Sequence, residues 1–214
     1  NLINTKKELI EQGFIDYHYN YYFPLKPFYF SIWRAPGCLG HNVSFYQIFR
    51  NAVFNNLEYF MIVEDDSVFK SNFIDYIDEY TELLKKDFDF ISLGQSKCFY
   101  NNNEELLKSN KFVSNKLGIK VFKIEDSISL FQQTHTMIFK TKNLKNILKD
   151  YFPMKCPTDV MLGNFSRNFK TDIRNSLLKQ ESKNQKKLNG LFCYPPISKQ
   201  KEDNKSDIEH WSIF

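Results

Sequence analysis

Hydrophobic and polar positions follow two alternating periods along this chain. In residues 42–56 the apolar side chains Phe45, Ile48, Phe49, Ala52 and Val53 recur at helical spacing and form one buried stripe. Residues 59–63 are then a continuous apolar run of strand length, broken off by Glu64, Asp65 and Asp66. A second helix is predicted from Ser71, with Phe73, Ile77, Tyr80 and Leu84 on one face, and a second strand over residues 88–93, stopped by Gly94. The polar stretch 95–115 predicts a long loop with one helical turn. Short strands are predicted at 121–124 and 136–139. Thr141 caps a helix carrying Leu144, Ile147, Leu148 and Tyr151, which Pro153 ends. Pro157 and Thr158 open a further helix with Asp159 in its first turn, and residues 191–194 form a last strand closed by Pro195 and Pro196. Near the start, Thr5 and Glu8 make a capping-box pattern for a helix over 5–12 that Gly13 stops.

Strand and helix alternate, which predicts an α/β three-layer sandwich with a mainly parallel central sheet, formed by residues 1–214 as a single domain. In open sheets of that kind ligands sit at the carboxyl ends of the strands. The first strand delivers three consecutive carboxylates to that edge.

Composition narrows the class. With 214 residues, 42% apolar and 25% charged, the chain can bury a substantial core. No apolar run approaches ~18 residues, which excludes a membrane-spanning helix from the expectation. The net charge of +4 is matched by the surplus of lysine between Lys179 and Lys205, a segment that reads as a solvated polar tail, a phosphate-facing loop or a nucleic-acid footprint. No nucleic-acid motif accompanies it, so no nucleic-acid partner is expected. Cys38, Cys98, Cys156 and Cys193 are scattered without metal-ligand spacing, which fits reduced thiols and a cytoplasmic location best, the alternatives being two bridges among the four and a lumenal location if a signal lies upstream. Asn42, Asn164 and Asn204 each begin an N-x-S sequon, as chance supplies in an Asn-rich chain.

Three adjacent carboxylates repel one another, so Glu64, Asp65 and Asp66 are expected to face a cation or a positively charged partner. A hard divalent ion suits them, because Mg²⁺ and Mn²⁺ commonly join one or two carboxylates to substrate phosphates. A solvated acidic turn leading into Ser67 is the simpler alternative.

The order of elements around this triplet resembles glycosyltransferase family 25, which includes bacterial lipooligosaccharide and collagen galactosyltransferases. Gly37-Cys38-Leu39-Gly40-His41, a helix and a strand ending in Glu64-Asp65-Asp66 resemble the family's G-C-x-x-S-H element and E-D-D strand, with Gly40 in place of the usual Ser. Thr134-His135-Thr136 before Met137-Ile138-Phe139 is similar to the family's G-T-H segment, with Gln133 in place of Gly. Pro157-Thr158-Asp159 resembles P-[VT]-D, and Tyr194-Pro195-Pro196, Gln200 and Ser206-Asp207-Ile208 resemble the C-terminal Y-P-P…Q…S-D-I pattern. Family members begin with an apolar strand, of which Asn1 and Leu2 would be the last two residues here.

The resemblance implies a GT-A-like fold and a metal-dependent, inverting transfer of a hexose, galactose or glucose, from a UDP-sugar to a glycan, lipooligosaccharide or hydroxylated protein acceptor. It implies Mn²⁺ or Mg²⁺ held by Asp66, with Glu64 or Asp65 beside it and His210 as a late ligand. Asp159 is the expected general base, its alternative being a helix-dipole carboxylate. His41, Glu64, Asp65, Gln200 and Asp207 are the expected donor contacts, with His41 and His135 equally readable as structural histidines. A degenerate transferase fold serving as a binding or adhesion module is the alternative function. Oligomeric state is not readable.

Overall fold

The computed structural model describes residues 36–71, 73–76, 87–116, 118–128, 131, 133–151, 158–166 and 188–201. The helix expected over 5–12, the first-strand remnant at Asn1 and Leu2, Cys156, residues 179–187 of the lysine-rich segment, Asp207, His210 and most of the helix after Ser71 lie outside these residues.

The apolar stripe of residues 42–56 is the inner face of a longer helix, α1 (Pro36–Phe54). Proline is tolerated at a first helical position because its missing N–H would have no intrahelical partner there. His41 therefore lies in the second turn, not at the helix start that the 42–56 pattern predicts. Strand β1 (Tyr59–Val63) falls where the apolar run placed it. There follow β2 (Ser67–Phe69), β3 (Phe90–Ser92), α2 (Lys97–Asn102), α3 (Glu104–Lys108), β4 (Ser114–Lys116), β5 (Ile119–Lys123), β6 (Thr136–Lys140), α4 (Leu144–Asp150), α5 (Thr158–Ser166), β7 (Gly190–Tyr194) and β8 (Ser198–Gln200). The stretch read as a loop thus holds two short helices, the first capped by the Ser96 hydroxyl, which accepts from Phe99 N.

Among the described residues, six strands form one sheet in the order β1-β6-β3-β7-β5-β4, and β2 pairs with β8 in a separate ribbon. The mainly parallel sheet expected from strand–helix alternation is corrected here: only β3 and β7 pair in parallel, and the other four pairings are antiparallel. The physical reason is β6, which inserts between β1 and β3 in the reverse direction, so that β1 and β3 run the same way without touching.

Side chains alternate across the central strands as a doubly covered sheet requires. Phe90, Phe122, Met137, Phe139 and Phe192 face a core built with Phe45, Phe49 and Ala52 of α1, Leu144 and Ile147 of α4, and Leu162 of α5. Ile91, Val121, Ile138, Leu191 and Cys193 face the opposite core, which Phe69, Phe73, Phe88 and Ile197 close. Phe49 anchors the first core, with its ring 5.0 Å from Phe139 and 5.7 Å from Phe45 in edge-to-face contacts. Cys98, on the surface, and Cys193, in the core, form no disulfide. No helix of the described residues is long and apolar enough to cross a membrane.

Candidate active site

Past Val63 the β1–β6 ladder takes one further step, Glu64 N donating to His135 O at 2.8 Å. The chain then turns at once: Ser67 N donates to Glu64 O at 3.1 Å, and the Ser67 hydroxyl donates to His135 O at 2.5 Å. This turn sorts the acidic triplet. Asp65 sits at a corner and is exposed, whereas Glu64 and Asp66 turn inward to different partners.

Glu64 Oε1 lies 3.0 Å from His41 Nε2 and accepts from the Thr134 hydroxyl at 2.7 Å. Burial alone would pull the His41 pKa down, but the hydrogen bond and charge of Glu64, aided by Asp159 and Asn42, outweigh it and raise the value. For Glu64, burial pushes upward, and the His41 hydrogen bond and charge with the Thr134 hydroxyl bring the carboxyl below its ordinary value. His41 is thus the counter-ion of Glu64, an oxygen of which is committed to His41 and Thr134.

The signs define a pH window. The raised imidazole stabilises the fold fully below about pH 6.5 and loses that contribution as pH rises through its folded value. The lowered carboxyl stabilises fully above about pH 4.3 and loses its contribution as pH falls through its folded value. His41→Gln keeps hydrogen-bonding capacity without charge. Its melting temperature is expected to trail the parent most between about pH 4.5 and 6.5, by roughly 2–4 °C per kcal/mol lost, with the gap narrowing as pH rises through the raised imidazole value. Thermal melts across pH measure this, and a gap that does not vary with pH would rule out the ion pair.

Asp66 has other company. Its Oδ2 accepts from Gln200 Nε2 at 2.5 Å, while its Oδ1 is buried with no hydrogen-bond partner among the described residues. Burial raises the Asp66 pKa, the Gln200 amide opposes the rise, and the charges of Glu64 and Asp65 add to it. Gln200 stands there because β8 pairs with β2, bringing Gln200 opposite Ser67, and Lys201 N donates to Asp66 O at 2.9 Å.

Asp159 comes from the first turn of α5. Its Oδ1 accepts from Val160 N at 2.7 Å, the helix-end role open to such a carboxylate, and its Oδ2 accepts from Gln133 N at 3.0 Å. Burial raises its pKa, partly offset by those two amides and by the His41 charge, with Glu64 pushing upward again. α5 is fixed to α1 by Asn42, whose Oδ1 accepts from Thr158 N at 2.9 Å and from the Thr158 hydroxyl at 2.8 Å. Tyr151 OH donates to Asn42 O at 2.9 Å. Asn42 is 2% exposed, so the sequon it begins is closed in the folded chain. Asn42→Ala strands a buried Thr158 N–H and is expected to cost ~1–3 kcal/mol, read as a drop of several degrees in calorimetric melting. An unchanged melt would show that the lock carries no stability.

The structure therefore brings together His41, Glu64, Asp66, Asp159 and Gln200, with Asp65 beside them. His135 is 1% exposed, its Nε2 lies 3.4 Å from Ser198 O, and burial lowers its pKa, which holds it neutral as a packing group beneath β8. Thr134 and Gln133 join the site without having been singled out as site residues. Both precede β6 where no periodicity marks them, although both belong to the segment that resembles the family's G-T-H pattern. A cleft of about 540 Å³ lined by Tyr59, Lys140, Lys142 and Lys145 lies at the other end of β1 and β6 and contains none of these groups.

Asp159 and Asp66 are thus two partly buried carboxylates of raised pKa, held by different partners. Residues 35–162 match the family model described as glycosyltransferase family 25 (LPS biosynthesis protein). The chain belongs to glycosyltransferase family 25. That match spans more than half of the chain and includes His41, the acidic triplet and Asp159, while Gln200 lies beyond it. No curated protein matches the chain.

Proposed function

We propose that this glycosyltransferase moves a hexose, galactose or glucose, from a UDP-sugar to a hydroxyl of a glycan, lipooligosaccharide or hydroxylated protein, with inversion at the anomeric carbon. The observation that carries the reading is the contrast between Asp66 and Asp159. One carboxylate has a buried oxygen with no partner among the described residues, and the other is a half-buried, backbone-held carboxylate of raised basicity.

Asp159 serves as the base. Its two backbone hydrogen bonds leave lone pairs on both oxygens, so it can take the acceptor hydroxyl proton as that oxygen bonds to the anomeric carbon and the bond to the diphosphate breaks. The pair of electrons from the broken bond leaves with UDP. Glu64, held by His41 and Thr134, adds negative charge that keeps Asp159 basic. Asp66 is the residue suited to hold Mn²⁺ or Mg²⁺. Among the described residues no three His, Cys, Asp or Glu side chains are grouped as a metal cage, and a single available carboxylate oxygen fits an ion shared with phosphate instead. When bound, such an ion supplies Lewis-acid stabilisation of the departing diphosphate.

UDP release from UDP-galactose and UDP-glucose, with and without Mn²⁺ and a panel of glycan acceptors, tests the reading. Metal-dependent release and protection by UDP against thermal unfolding are expected. Absence of both would leave the domain as a binding module.

A further inference from the structure

Gln133 has a φ of 70°, in the left-handed region that a non-glycine side chain rarely adopts. Such strain persists only where surrounding contacts over-determine it. Here the backbone is held on both sides, because Gln133 N donates to Asp159 Oδ2 at 3.0 Å and Gln133 O accepts from Gln95 Nε2 at 2.9 Å. Gln95 is 5% exposed and is itself fixed by Ser92 Oγ at 2.8 Å.

The side chain continues the connection. Gln133 Nε2 donates to Gln200 Oε1 at 2.9 Å, and Gln200 Nε2 donates to Asp66 Oδ2 at 2.5 Å. The direction of this chain is set by chemistry. An ionised carboxylate only accepts, so Gln200 must turn its NH₂ to Asp66 and its carbonyl to Gln133, and Gln133 must present its own NH₂. One residue thereby touches Asp159 through its main chain and reaches Asp66 through one intervening amide.

We propose that Gln133 is a positioning residue which, with Gln200, ties the geometry of Asp159 to that of Asp66, so that the two carboxylates keep a fixed separation across the reacting bond. The inference rests on the transferase reading above. Glycine would satisfy the backbone at this position without strain, and the glutamine adds an amide that glycine lacks.

Gln133→Gly separates this role from a structural one. It relieves the left-handed strain and removes the relay, so its melting temperature is expected to equal or exceed the parent's, while UDP release from UDP-galactose with Mn²⁺ falls roughly 10- to 100-fold in kcat. The donor KM is expected to stay within about twofold, because the contacts that bind substrate are not those removed. Gln133→Glu keeps size and φ but places an acceptor against the Gln200 carbonyl, and is expected to lose kcat similarly. Asp159→Asn is measured in parallel. If Asp159→Asn is inactive while both Gln133 variants keep parental kcat, the relay is wrong and the base assignment stands. If the Gln133 variants lose kcat only in proportion to lost folded protein, the role is structural and the proposal fails. If Asp159→Asn keeps full activity, the base assignment fails and takes the relay with it.

Discussion

Asp159→Asn is expected to lower turnover roughly 10²- to 10⁴-fold while leaving UDP affinity unchanged, the scale on which a positioned base contributes. Asparagine keeps one of the two oxygens that accept from backbone N–H groups, turns an NH₂ toward the other, and cannot take a proton from the acceptor. Its melting temperature should not fall for electrostatic reasons. The folded carboxyl has a raised pKa, so its stabilising effect is present below the unfolded value and is lost as pH rises through the folded one. At neutral pH the ionised form is already a cost. In the parent, the acid limb of the rate profile should lie above the ordinary aspartate range, because activity requires the ionised base. Weakened UDP binding in this variant would instead place Asp159 on the donor, and an acid limb at the usual aspartate value would contradict the burial argument.

Asp66→Asn is expected to have the other large effect. Turnover with Mn²⁺ should fall by at least about 10³-fold, the rate equivalent of several kcal/mol of electrophilic help. UDP affinity should drop about tenfold or more in Mn²⁺ and stay near the parental value without it. The fold should tolerate the change, since the asparagine carbonyl can still accept from Gln200, and the substitution removes a buried charge that Glu64 and Asp65 oppose. The melting temperature at pH 7 is therefore expected to hold or rise by a few degrees. A loss of many degrees would make Asp66 a structural carboxylate. Calorimetric UDP titrations with and without Mn²⁺, beside thermal melts, decide between these.

Both predictions depend on features of uneven visibility in the sequence. The run Tyr59–Val63 and the carboxylates beyond it were legible, because a continuous apolar run ending in charge has few foldings that bury one and expose the other. The Phe45, Phe49 and Ala52 stripe was legible for the same reason. The reversed direction of β6 was not, because periodicity marks a strand without its orientation. Strands β2 and β8 have three residues each, too short for an alternating pattern, yet their pairing is what carries Gln200 to Asp66. Gly37 and Gly40 carry no side chain to extend the apolar stripe, so the first turns of α1 were not legible. Gln133 is half-legible: it stands where the resemblance expects glycine, a pointer to a positive φ, but only the structure reveals that its main chain and side chain reach toward two carboxylates.

The most direct measurement is anomalous scattering at the manganese edge from crystals grown with UDP and Mn²⁺. The account predicts a peak within coordination distance of an Asp66 carboxylate oxygen, with the diphosphate on the same side and Asp159 left free of metal. A peak elsewhere, or UDP seated in the lysine-lined cleft beside Lys140, Lys142 and Lys145, would contradict it.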